Sequence, residues 1–182
     1  EKVDAEKKGK RSYFILSSEP EYGELKDLVA VNMIEHPKAL LVKRIVMNQL
    51  LRKPTSRMLV FTQYRHTASH LVELLKSVPG VKVDRFVGQA SRLMDKGLTQ
   101  EEQAERIRRL DNGELNVLVA TSIAEEGLDI PSVDHVIFYE PIPSEIRYIQ
   151  RRGRTGRKAP GKVTILATNG TLDMIYLYAS RR

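Results

Sequence analysis

Met58-Leu59-Val60-Phe61-Thr62-Gln63-Tyr64-Arg65 opens the part of the chain with the clearest pattern. Four apolar residues run without a polar break, then give way to a short polar loop. Helical spacing follows from about Arg65 to Lys76. A short apolar run followed by a helical stretch reads as a strand leading into a helix. The same unit recurs downstream. Pro79-Gly80 marks a turn, and Val81 to Val87 reads as a strand. Thr99-x-x-Glu102 is a capping box that starts a helix running to Asn112-Gly113. Val117-Leu118-Val119-Ala120 is a buried strand. His135 to Tyr139 and Val163 to Ala167 read as strands, Pro143 to Arg152 and Leu172 to Ala179 as helices. Strand and helix therefore alternate from residue 57 onward, which predicts an α/β fold with a mostly parallel sheet covered by helices.

Upstream, residues 21–34 carry helical spacing through Leu25, Leu28, Val29 and Met33. Pro37 starts another helix, with Leu40, Leu41, Ile45, Leu50 and Leu51 as its apolar positions, and Pro54 ends it. Residues 1–12 are polar, carry Lys7, Lys8, Lys10 and Arg11, and are expected to be disordered. A length of 182 residues suits one domain with a short appendage, and 41% hydrophobic residues suffice for a core. The chain starts with Glu rather than Met and reads as a piece of a longer protein.

Composition narrows the function. Lys+Arg 30 against Asp+Glu 23 leaves a net charge of +7. Arg147, Arg151, Arg152, Arg154, Arg157, Lys158 and Lys162 concentrate that excess in one stretch, as a phosphate-binding face would. No cysteine is present, which excludes a disulfide framework and a zinc finger. No apolar run approaches the roughly 20 residues of a membrane span, and no signal peptide is visible.

Ligands of open parallel sheets bind at the carboxyl ends of the strands. There this sequence places Thr62-Gln63-Tyr64-Arg65, Gly88-Gln89-Ala90-Ser91-Arg92 and the stretch Thr121 to Pro131. Farther on stands Gln150-Arg151-Arg152-Gly153-Arg154-Thr155-Gly156-Arg157. Arginines this close repel one another unless anions neutralise them, and a guanidinium fork matches phosphate oxygens. The glycines allow close backbone approach. A solvated basic turn or a localisation signal would not require this Gly-Arg-Thr-Gly-Arg spacing. Yet Gly-x4-Gly-Lys-Ser/Thr occurs nowhere in the chain, and no paired carboxylates follow a strand to hold Mg²⁺. The arginines thus serve a nucleotide bound mainly elsewhere, as an arginine finger does.

These loops, in this order, resemble the second RecA-like domain of superfamily 2 helicases from about residue 37 to the end. Thr62–Arg65 looks like motif IV, Asn116–Pro131 like motif V and Gln150–Arg157 like motif VI. Phe86–Ser91, Leu98–Gln103, Glu125–Ile130 and Gln150–Arg157 are similar to archaeal Hef and its Fanconi-anaemia-M-type relatives, with Ala124 departing from the Gly more usual there. The resemblance implies a RecA-like three-layer fold, with residues 1–36 an N-terminal extension or the end of an inserted helical domain, and 37–182 the helicase C-terminal domain. It implies the second motor domain of an ATP-dependent DNA helicase or translocase for branched or fork DNA, inactive alone. ATP would lie against a first RecA-like domain that carries the P-loop and holds Mg²⁺. Arg154 and Arg157 would reach the γ-phosphate, with Gln150 connecting the cleft, and Gly127 and Asp129 would meet the nucleotide sugar. Gln63, Arg65, Gly88, Gln89 and Thr121 would line the nucleic-acid track. DNA is favoured over RNA as partner. An RNA-stimulated ATPase of the innate-immune sensor or DEAD-box type is the alternative, and a non-catalytic binding module a third. The location implied is intracellular: cytoplasmic or chromosome-associated in an archaeon, nuclear in a eukaryote.

Individual residues admit plainer readings. Asp129 could be a turn residue before Ile130-Pro131, and Thr121 could cap a following short helix. Glu125 and Glu126 lack a paired carboxylate or His nearby and read as hydrogen-bonding supports. His36, His66, His70 and His135 show no metal spacing, so no metal ligand is expected; His66 and His70 read as helix surface. Tyr139 and Tyr148 read as core or cleft packing.

Overall fold

The computed structural model describes residues 15, 17–31, 35–90, 95–121, 132–144, 146 and 161–180. The chain divides into two compact units, one of residues 1–36 and 90–97, the other of residues 37–89 and 98–182. In the first unit, helix α1 (Pro20–Val31) leaves Leu25, Leu28 and Val29 exposed.

The second unit holds α2 (Pro37–Arg52), β1 (Met58–Phe61), α3 (Arg65–Lys76), β2 (Val83–Phe86), α4 (Gln100–Asp111), β3 (Val117–Ala120), β4 (His135–Phe138), β5 (Lys162–Ile165) and α5 (Leu172–Ser180). The strands form a five-stranded sheet in the order β2-β3-β1-β4-β5, and every pairing is parallel. β1, the short apolar run, lies at the centre with all four residues buried, as are those of β4 and of β3, the strand expected to be buried.

Strand alternation sends successive side chains to opposite faces. Met58, Val60, Val117, Val119 and Ile137 pack with Ala39, Val42 and Val46 of α2 and Ala68, Leu71, Val72 and Leu75 of α3. Leu59, Phe61, Leu118, Val136 and Phe138 pack on the other face with Leu110 of α4, Leu115 and Ile146. The Phe61 and Phe138 rings stack there with centroids 5.1 Å apart. Helices thus cover both faces, the three-layer arrangement expected from the alternation. Of the expected apolar positions of α2, Leu41, Ile45 and Leu50 pack partly buried against this core, while the other two do not. Ala39, Val42 and Val46 are buried, while Leu40 is 51% and Leu51 75% exposed. So many α2 residues are apolar that spacing alone does not select a side.

Local chemistry fixes several boundaries. Thr99 caps α4: its Oγ1 accepts from the Glu102 N–H at 3.1 Å, and its own N–H donates to Glu102 Oε2 at 2.8 Å. At the amino edge of the sheet, the Arg57 and Lys53 groups meet Asp134. A Cβ on Gly161 would stand 2.9 Å from the Asp134 carbonyl oxygen, so only glycine allows β5 to start this close. Among the described residues no helix is long and apolar enough to cross a membrane.

Candidate functional site

The carboxyl edge of the sheet is built by the residues that follow each strand. Thr62 continues β1, and its N–H donates to the Ala120 carbonyl at 2.9 Å. Thr121 continues β3, and its N–H donates to the Phe86 carbonyl at 3.1 Å. Because β2, β3 and β1 are neighbours, Gly88-Gln89, Thr121 and Gln63 stand in a row on three adjacent strand ends. Gln63 and Gln89 are exposed, and Arg65, Gly88 and Thr121 are half-buried. All five residues predicted to line a nucleic-acid track are therefore brought to one stretch of the edge.

Arg65 also has a structural part in that row. Its Nη2 donates to the Gly88 carbonyl at 2.7 Å, tying the loop after β1 to the loop after β2. The Leu98 N–H reaches the same carbonyl at 3.3 Å. Gln103 of α4, only 1% exposed, donates from Nε2 to the Val87 carbonyl at 3.0 Å. The Val87–Gly88 backbone is thus held by donors from three directions. Sequence reasoning did not assign Gln103 this part. The signal was a glutamine directly after the capping box, one turn past Thr99, at a position facing the core.

Glu140 was not singled out either. It follows β4, and its Oε1 accepts from Thr62 Oγ1 at 3.2 Å and its Oε2 from the Gln63 N–H at 3.1 Å. Burial pushes its carboxyl above the ordinary range, and the Gln63 and Thr62 hydrogen bonds and the Lys38 charge oppose that rise, while Asp173 adds to it. Lys38 pairs with Asp173 and stands 5.6 Å from the centroid of the Tyr139 ring. Burial works against the Asp173 carboxylate as well. Hydrogen bonds from Lys38 and the Thr168 N–H, with the Lys38 charge, outweigh it and hold Asp173 below its ordinary value. Tyr139 is a core residue, as expected, and His66 and His70 lie on the helix surface.

Gln150, Arg154, Arg157, Gly127 and Asp129 lie outside the described residues, as do Glu125, Glu126, Tyr148 and residues 1–12. Among the described residues no group of three His, Asp or Glu side chains is placed to hold a metal ion.

Comparison with known proteins shows the family and the fold. Residues 39–159 match the family described as helicase conserved C-terminal domain. A putative ATP-dependent RNA helicase of Methanocaldococcus jannaschii is 48% identical over 153 residues, which cover 84% of this chain and 19% of that protein. The ATP-dependent DNA helicase mph1 of Sclerotinia sclerotiorum is 37% identical over 191 residues, covering 96% of this chain and 16% of that protein. The crystal structure of the Pyrococcus furiosus Hef helicase domain superposes with a TM-score of 0.74 at 44% identity, over 99% of this chain and 37% of that one. The chain therefore spans less than a fifth of either curated relative.

Proposed function

Since the chain belongs to the helicase conserved C-terminal domain family, we propose that it is the second motor domain of an ATP-dependent superfamily 2 DNA helicase or translocase that works on branched or fork DNA. The observation that carries this reading is the row of Gly88, Gln89, Thr121 and Gln63 on three adjacent strand ends. Backbone N–H groups and short polar side chains hold phosphates and sugars without reading bases. A motor that moves along any sequence needs such contacts. The printed name of the fungal relative, an ATP-dependent DNA helicase, favours DNA as the nucleic acid.

ATP is the substrate, held between this domain and a first RecA-like domain that carries the P-loop. The donor set of Gln150–Arg157 fits a triphosphate, because forked guanidiniums spaced by glycines match its oxygens. Mg²⁺ would be held mainly by the first domain and would supply charge neutralisation to the phosphates there. Arg154 and Arg157 approach the γ-phosphate from this side and stabilise the charge that develops on it. Gln150 connects the two sides of the cleft, and Gly127 and Asp129 meet the sugar. Gln63, Arg65, Gly88, Gln89 and Thr121 hold the DNA backbone.

Steady-state kinetics of the full-length protein test this reading. Arg157→Ala lowers kcat by about 10³-fold or more while nucleotide and DNA affinities change little, because a finger acts on the transition state. Arg157→Lys rescues poorly, since an ammonium lacks the planar fork. Near-normal DNA-stimulated kcat in Arg157→Ala refutes the finger assignment. The Methanocaldococcus relative's name favours a second reading, an RNA-stimulated ATPase. Stimulation by RNA exceeding that by fork DNA would select it.

A further inference from the structure

Glu140 stands at a singular place in the topology. From β1 the chain leaves through α3 toward β2, on the far side of β3, whereas from β4 it leaves toward β5. β1 and β4 are neighbours whose outgoing connections diverge, and such a switch point is where open α/β sheets form a crevice. The Glu140 carboxylate lies there. Each of its oxygens takes one donor, from Thr62 Oγ1 and from the Gln63 N–H. Just before it, the Tyr139 N–H donates to the Phe61 carbonyl at 2.8 Å, so the carboxylate extends the β1–β4 pairing by a further step.

The two partners differ in a useful way. Thr62 is fully buried and anchored to β3 through its N–H. Gln63 is exposed and belongs to the proposed track. The bond to its N–H fixes the peptide from which its side chain projects. On the other side, Glu140 leads through Pro141 and Ile142 into helical residues Pro143, Ser144 and Ile146. The Ile146 N–H donates to the Ile142 carbonyl at 2.9 Å, and its side chain is buried in the core. From that anchored turn the sequence continues to Gln150–Arg157. A half-buried carboxylate is costly unless hydrogen-bonded; here both donors come from the loop that meets nucleic acid. Lys38 and Asp173 are the other charged groups that bear on it, with opposite signs.

We propose that Glu140 is a positioning residue that couples the nucleic-acid track to ATP turnover, by fixing the Thr62–Gln63 loop to the strand end that leads into the arginine segment. The inference rests on the motor-domain reading above. It assigns Glu140 no contact with ATP or DNA.

The test uses the full-length protein with Glu140→Ala and Glu140→Gln. ATP turnover is measured without DNA and at saturating fork DNA, together with the DNA concentration that gives half-maximal stimulation. The decisive quantity is the ratio of stimulated to unstimulated turnover. Loss of folded protein lowers both rates by one factor and leaves the ratio unmoved, so a merely structural role is separated from coupling. For Glu140→Ala the ratio falls about tenfold, the scale of one charge-assisted hydrogen bond, and half-maximal stimulation needs more DNA. Glu140→Gln, which keeps one acceptor oxygen, recovers part of the ratio. A wild-type ratio in Glu140→Ala, or equal ratios in both variants, overturns the proposal while leaving the motor reading intact. Absence of stimulation in the wild-type protein by any nucleic acid instead overturns the motor reading, and this proposal with it.

Discussion

His135 makes the stability of the domain sensitive to mild acid. The residue begins β4 and is 1% exposed, with Nε2 placed 2.9 Å from Thr164 Oγ1. Nδ1 is buried without a hydrogen-bond partner among the described residues, so a proton added there finds no acceptor. Burial, helped by the Lys162 charge, holds the imidazole down to about 4 from its ordinary 6.5. Between those values the unfolded chain carries the proton and the folded one does not, so stability falls as pH falls through the window. Each unit of displacement is worth about 1.4 kcal/mol, for about 3 kcal/mol in all, of which about 2 kcal/mol develops between about pH 7 and about pH 5. Asp134 and Asp173, whose carboxyls are held low, give up their contributions only in stronger acid. Glu140, held high, gains stability as it protonates and so works in the opposite direction. The comparison is therefore between the wild-type chain and His135→Gln, in urea titrations at both pH values. With a denaturant slope of about 1–3 kcal/mol per molar, the wild-type midpoint drops about 1 M more than that of the variant. If the two midpoints move in parallel, the buried neutral imidazole is not the source of acid sensitivity.

Gly161→Ala forces a Cβ against the Asp134 carbonyl, which is backbone and cannot rotate away. It lowers stability by about 1–3 kcal/mol in thermal melts, whereas Gly23→Ala inside α1, where no atom lies within 4 Å of the added Cβ, leaves the midpoint unchanged or slightly raised. Nucleic-acid binding by the chain weakens roughly tenfold for a fourfold rise in salt, as two phosphate contacts predict, and is alike on unrelated sequences. A flat salt response, or marked preference for one sequence, in anisotropy titrations counts against a translocation track.

Short-range chemistry was legible in the sequence to the degree that it is local. The Thr99 capping box involves residues three apart, and both of its hydrogen bonds form. The runs Met58–Phe61 and Val117–Ala120 are buried throughout, as unbroken apolar strands in a parallel sheet covered on both faces are. What escaped was whatever joins distant residues. Nothing in the spacing of β1 to β5 encodes the order β2-β3-β1-β4-β5. Nothing local distinguishes Glu140 from a surface glutamate, since its partners Thr62 and Gln63 lie 78 and 77 residues away. Arg65 was picked for its charge and its loop, and its bond to the Gly88 carbonyl crosses 23 residues. On α2, apolar residues stand on several sides of the helix, so spacing did not mark Ala39, Val42 and Val46 as the fully buried ones.

The strand at the centre of the sheet is also the first one synthesised. β1 pairs with β3 on one side and β4 on the other, and the Arg57 N–H bonds to Asp134 across 77 residues of chain. Neither neighbour exists when Met58–Phe61 leaves the ribosome. At about 5–20 residues per second, its four apolar side chains wait about 4–15 s for β4 to emerge. Pairing over such separations is slow to nucleate, and an uncovered apolar strand is prone to stick to others. α2 and α3, which cover one face of β1, are the early company available to it. A nascent chain halted before His135 keeps one side of its central strand open.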